Sequence, residues 1–106
     1  MAKPSSWNED VLKGVEACSR VINGTMTAGL SALPISATAT DINWIILFNL
    51  GTATVYLGGS GVTTSNGLPM RPNGESPVIR VTGLDVIYVI SGSASQDIRY
   101  LAGVKS

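Results

Sequence analysis

Two periods divide the chain. Between residues 6 and 18 the apolar positions Val11, Leu12, Val15 and Cys18 recur at i, i+1, i+4 and i+7, the stripe of an amphipathic helix. Ser6 followed by Glu9 has the spacing of a capping box, and Glu9 and Asp10 near the start with Arg20 near the end suit the helix dipole. The spacing predicts a helix over 6–18. Gly14 weakens it by up to about 1 kcal/mol relative to alanine, and a helix this short is marginal in water by itself. It therefore needs a surface, either its own domain or another subunit, and the sequence leaves both open.

From Arg20 onward the pattern becomes that of short strands between Gly, Pro, Asn and Ser turns. Residues 20–26 and 30–36 read as two strands around Thr27-Ala28-Gly29. Residues 42–50 form the clearest strand, with Ile42, Trp44, Ile46, Phe48 and Leu50 on one face, expected to be the core face. Asn43, Ile45, Leu47 and Asn49 lie on the other. Because Ile45 and Leu47 are also apolar, the strand is expected to be covered on both sides. Residues 53–57 come after it, with Val55 and Leu57 inward and Thr54 and Tyr56 outward. Residues 77–82 come next, with Pro77 at a strand start or an edge. Residues 86–90 and 96–101 complete about seven antiparallel strands. This order argues a mainly β fold, a single β-sandwich or jelly-roll-like barrel over 20–106 preceded by a helical arm over 1–19.

A long loop over 58–72 precedes the turn that leads to the strand at 77. Gly58, Gly59 and Gly61 end the preceding strand, and their freedom of backbone angle is the expected reason. Pro69 and Pro72 stiffen the second half of the loop, and Asn73-Gly74 is a turn signal. Loops this long without secondary structure are uncommon unless functional or disordered, so this one is expected to be ordered and to shape contacts.

The residues Asn49, Gly51, Val55-Tyr56, Gly58-Gly59-Ser60-Gly61-Val62-Thr63, Asn66-Gly67, Pro69 and Gly74-Glu75-Ser76 together resemble a group of small β-sandwich structural proteins of tailed-bacteriophage virions. The likeness is tight over 49–76 and extends by pattern over 20–102. It implies a virion part: a capsid decoration (cement) protein, a head-fibre base or a tail component.

Composition narrows the alternatives. Seven basic and seven acidic residues with no histidine provide no field to steer nucleic acid or an anionic membrane. Charged residues make up 13% of the chain, about half the usual share. With a mean hydropathy of +0.29, this low charge favours association with other subunits, including a homo-oligomer, over a Ser/Thr-coated monomer. No apolar run follows Lys3, so no secretory signal is expected, and Trp44 to Phe48 is far short of the roughly 20 residues that span a bilayer. Cys18 is the lone cysteine, so no internal disulfide forms. This fits synthesis in a reducing cytoplasm, with Cys18 more simply an apolar helix residue than a reactive thiol.

Without histidine no Ser-His-Asp or Cys-His arrangement exists, and one cysteine makes no ordinary zinc site. The loop 58–64 lacks the lysine of a phosphate loop and opens no helix. Asp41, Glu75, Asp85 and Asp97 are scattered at turns and strand ends without calcium-loop spacing. Asn23-Gly24-Thr25 has the form of a glycosylation sequon but is more simply a turn. Neither enzymatic activity nor a cofactor is expected.

Two functions remain. In the first, the chain is a virion structural protein, most concretely a decoration protein that binds and stabilises an assembled capsid, with a tail, neck or fibre-adaptor role as the variant. Its partners are other virion proteins, above all the major capsid protein, and its location is the virion. The contact residues are Trp7, Val11, Leu12, Val15 and Cys18 on the arm, with Gly58, Gly59, Ser60, Gly61 and Val62 on the loop. In the second, it is a glycan-binding sandwich with Trp7, Trp44, Tyr56, Tyr88 and Tyr100 as candidate stacking faces, although Trp44 and Tyr88 lie among aliphatic neighbours and are expected in the core.

Overall fold

The computed structural model describes residues 18–38 and 40–105, with the backbone alone for Cys18, Ser19 and Lys105. The expected helix over 6–18 lies outside the described residues except at its last position. Cys18 there opens a strand, and the sheet begins two residues earlier than residue 20. The described residues form seven strands: β1 (Cys18–Ala28), β2 (Leu33–Pro34), β3 (Ile42–Asn49), β4 (Val55–Gly58), β5 (Leu68–Met70), β6 (Tyr88–Ser91) and β7 (Gln96–Lys105). They form two antiparallel sheets, β1-β7-β3 and β2-β6-β4-β5. Ile42, Ile45, Leu47, Ile98 and Ala102 of the first pack against Val55, Leu57, Met70 and Val89 of the second. The fold is mainly β, in the manner of a β-sandwich.

The strand expected over 20–26 runs on to Ala28, and the segment 30–36 contributes only a two-residue strand, in the opposite sheet. Asn23-Gly24-Thr25 is therefore not a turn. It lies mid-strand, opposite Leu101, Tyr100 and Arg99 of β7. Gly24 is needed there because the Tyr100 ring fills the space a Cβ would take, its hydroxyl oxygen 2.6 Å from that point.

In β3 the face assignment inverts. Ile45, Leu47 and Asn49 are buried, whereas Trp44, Ile46 and Phe48 are half-buried on the outer side and Leu50 is 43% exposed. The cause is a bulge. Ile42 pairs with Val104 and Trp44 with Gly103, so Asn43 is an extra residue and the alternation changes parity after it. Ile42 and Ile45 both point inward across the bulge. Trp44 is accordingly half-buried rather than core, and Tyr88 on β6 is half-buried too.

The expected strand over 77–82 is instead an irregular segment along the free edge of β3. Ile45 and Ile79 exchange two backbone hydrogen bonds at 2.8 Å, Ser76 N–H donates to Leu47 O at 2.8 Å, and Ile42 N–H donates to Thr82 O at 3.2 Å. Pro77 has no N–H to continue a ladder, and Leu47 N–H is met by the Ser76 hydroxyl at 2.9 Å instead. The Asn73-Gly74 turn forms as expected, with Asn73 at φ 62° and Gly74 N–H donating to Arg71 O at 2.8 Å.

Candidate functional site

The segment that carries the resemblance is built around one side chain. Asn49 is 0% exposed, at the end of β3. Its Nδ2 donates to Ala53 O at 2.9 Å and to Met70 O at 2.8 Å, and its Oδ1 accepts from Gly51 N–H at 2.8 Å. Its backbone adds two bonds, N–H to Gly74 O and C=O from Asn73 N–H. A single amide thus ties the end of β3 to the connection before β4 and to β5, on the return of the long loop. Gln96 does similar work from the start of β7: its Oε1 accepts from Thr52 N–H at 2.7 Å and Ala53 N–H at 2.9 Å, and its Nε2 donates to Ala94 O. Ser91 Oγ donates to Thr54 O, and Ser76 Oγ to Pro77 O. Among the described residues every buried side-chain polar atom has a partner. The sequence signal for Asn49 was a polar residue closing an apolar strand; nothing in the sequence pointed to Gln96.

The loop tip is ordered by its own bonds. Val62 N–H donates to Gly59 O at 3.0 Å, Thr63 N–H to Asn66 Oδ1 at 2.7 Å, and Gly67 N–H to Thr63 O at 3.0 Å. The Val62 and Thr63 amides are therefore occupied within the loop. Gly59, Ser60 and Gly61 are exposed, but Val62 is only 6% exposed and packs beneath Gly58 and Gly67, so it offers little surface to a partner. Trp7, Val11, Leu12 and Val15 lie outside the described residues, and Cys18 is described by its backbone alone.

These glycines serve by the room they leave. None of the described glycines sits at positive φ, contrary to the expectation for Gly58, Gly59 and Gly61. A Cβ on Gly67 would lie 2.6 Å from Tyr56 Cβ and 2.7 Å from Val62 Cγ2, whereas Gly59 and Gly61 have nothing within 4 Å. Gly67→Ala is expected to cost about 1–3 kcal/mol by overpacking, and Gly61→Ala close to nothing, as thermal denaturation of the two variants will read.

Electrostatics add little. Among the described residues no group of three or more His, Cys, Asp or Glu is placed to hold a metal, and no helix is long and apolar enough to cross a membrane. Arg99 grips Asp97 on the outer face of β7, Nε to Oδ1 at 3.1 Å and Nη2 to Oδ2 at 3.0 Å. The hydrogen bonds from the guanidinium, more than its charge alone, hold the Asp97 carboxyl below its ordinary range. Because the folded-state value is depressed, the small stabilisation is present at neutral pH and lost as pH falls through that value. Arg99→Ala should move the Asp97 titration midpoint, followed by NMR, upward toward that of a free aspartate.

No protein-family model matches the chain, and no curated protein does. Among solved structures, a chain from the disulfide-linked pili of Bacillus endospore appendages is similar, with a TM-score of 0.46 and 16% sequence identity, over 82% of this chain and 87% of that one. Likeness of that degree carries no inference.

Proposed function

We infer that the chain is a non-enzymatic structural subunit of a tailed-phage virion, acting as a decoration protein on the assembled capsid. The observation that supports this reading is the use made of the residues behind the resemblance. Asn49, Gly51, Gly58, Val62, Gly67 and Ser76 all build the fold, by buried hydrogen bonds or close packing, and none presents a reactive group. A motif of that kind is what a scaffold part shares with other scaffold parts. The low charge, with seven residues of each sign, permits close approach of many copies without mutual repulsion.

The mechanism is mass action. A subunit that binds the assembled shell and not its free components stabilises the shell by an amount that, above its dissociation constant, grows with the logarithm of its free concentration. The exposed tip Gly59-Ser60-Gly61, held rigid by the bonds beneath it, is the part of the loop offered to such a contact. The test is cosedimentation of the purified protein with phage particles, followed by copy counting on gels. Copies in proportion to the capsid subunits support decoration. Copies in the number of a tail or neck ring move the protein there, and absence from particles at saturating concentration overturns the reading.

A further inference from the structure

Of the four sheet edges among the described residues, three are closed to further pairing. β2 is two residues long and contains Pro34, β5 is three residues long and contains Pro69, and β3 is covered by residues 74–82. The fourth edge, β1, is eleven residues long, has no proline and carries one charge, Arg20. Its register with β7 runs unbroken from Arg20 to Ala28. Among the described residues, the backbone groups of this stretch that point away from β7 meet no partner. Such a row of open N–H and C=O groups is a template for another strand, and short strands, prolines or charges normally blunt it.

We propose that a second copy of this chain adds its own β1 to this edge, antiparallel about a two-fold axis at Gly24, so that the β1-β7-β3 sheets of the two copies become one continuous sheet. The register follows from the bounds of the open stretch. The bulge between Cys18 and Arg20 closes it at one end and the end of β1 closes it at the other, and Gly24 is the midpoint of 20–28. In such a symmetric pair the same patch serves both partners. Arg20 of each copy then lies opposite Ala28 of the other, Ile22 opposite Met26, Val21 opposite Thr27 and Asn23 opposite Thr25. No like charges meet across the joint, and seven residues of each sign leave the two copies without net repulsion.

The side chains along this edge agree. Ile22 and Met26, on the core face of β1, are only half-buried at the margin of the core, and on pairing each gains the other from the second copy. Tyr100 of β7 lies across Gly24, its hydroxyl oxygen 2.6 Å from where a Cβ would stand, and that hydroxyl bonds to none of the described residues. Opposed residues of an antiparallel pair have Cα atoms about 4.5–5.5 Å apart. An axis at Gly24 therefore brings the two Tyr100 hydroxyls near enough to bond, directly or through one water. The pairing is a property of the free chain and does not depend on which particle it joins.

The test is sedimentation equilibrium of the full chain, with amide exchange followed by NMR on the same samples. The expected result is a reversible dimer in which alternate amides over 20–28, those facing away from β7, slow by at least about tenfold as concentration rises through the dimer range. Asn23→Lys combined with Thr25→Lys sets lysine opposite lysine on both sides of the axis and should weaken association at least about tenfold, with the circular dichroism of the diluted monomer unchanged. The exchange measurement on the unaltered chain decides the matter even if that variant fails to fold. A chain that stays monomeric, or a dimer whose alternate β1 amides remain fast or which the lysines leave intact, would overturn the pairing. Amides already slow in the monomer would overturn it by placing another part of the same chain on the edge. Protection that needs added phage particles would overturn it in favour of a strand from a different protein.

Discussion

Asn49→Ala is expected to destabilise the fold by about 2–5 kcal/mol, since it strips partners from three backbone groups, one buried at about 1–3 kcal/mol and two part-buried at less. The groups are Gly51 N–H, Ala53 O and Met70 O. The deficit falls at one place, where the end of β3 holds the connection before β4 and the return of the long loop at Met70. Urea unfolding should show a lower midpoint, and hydrogen exchange should show loop 58–74 released before the sheets. Asn49→Asp separates donors from acceptor: it keeps the acceptor for Gly51 but sets a carboxylate against two carbonyl oxygens, and should be at least as damaging at neutral pH. An Asn49→Ala protein with an unchanged midpoint would mean that water satisfies these groups and that the amide is not the tie.

Leu47→Ala should cost about 2–5 kcal/mol, a large part of the roughly 5–15 kcal/mol that stabilises a domain of this kind. Phe48→Ala, though it removes a larger side chain, should cost clearly less. Leu47 is fully buried between the sheets, whereas Phe48 stands half-buried on the outer face. Chemical denaturation of the two variants side by side decides the matter. If Phe48→Ala proves the more damaging, the bulge at Asn43 does not set the faces of β3 as described.

That pair of residues also marks the limit of reading β3 from its pattern. In the sequence, the run Ile42, Trp44, Ile46, Phe48 forms an unbroken apolar face, and the opposite run carries Asn43 and Asn49, so alternation favours the wrong side. The inversion needs one extra residue against β7, a pairing event with a strand far along the chain. The inward turn of Asn49 has the same origin: a polar residue faces the core because three backbone groups await it there.

What the sequence determined by itself is what near neighbours encode. The β class, the inward Val55 and Leu57, the Asn73-Gly74 turn and the turn before β7 come from local alternation and from residues with restricted or tolerant backbones. Pro69, read in the sequence as stiffening the loop, sits in the short strand β5. What only the tertiary structure decided is which strands pair and which side of each is inside. It divided β1 from β2 between opposite sheets and laid residues 74–82 along the edge of β3. It also brought Gln96 onto the amides of Thr52 and Ala53. These features depend on contacts between residues remote in the chain, whose free energy is gained only once the sheets close. A local pattern carries no record of them.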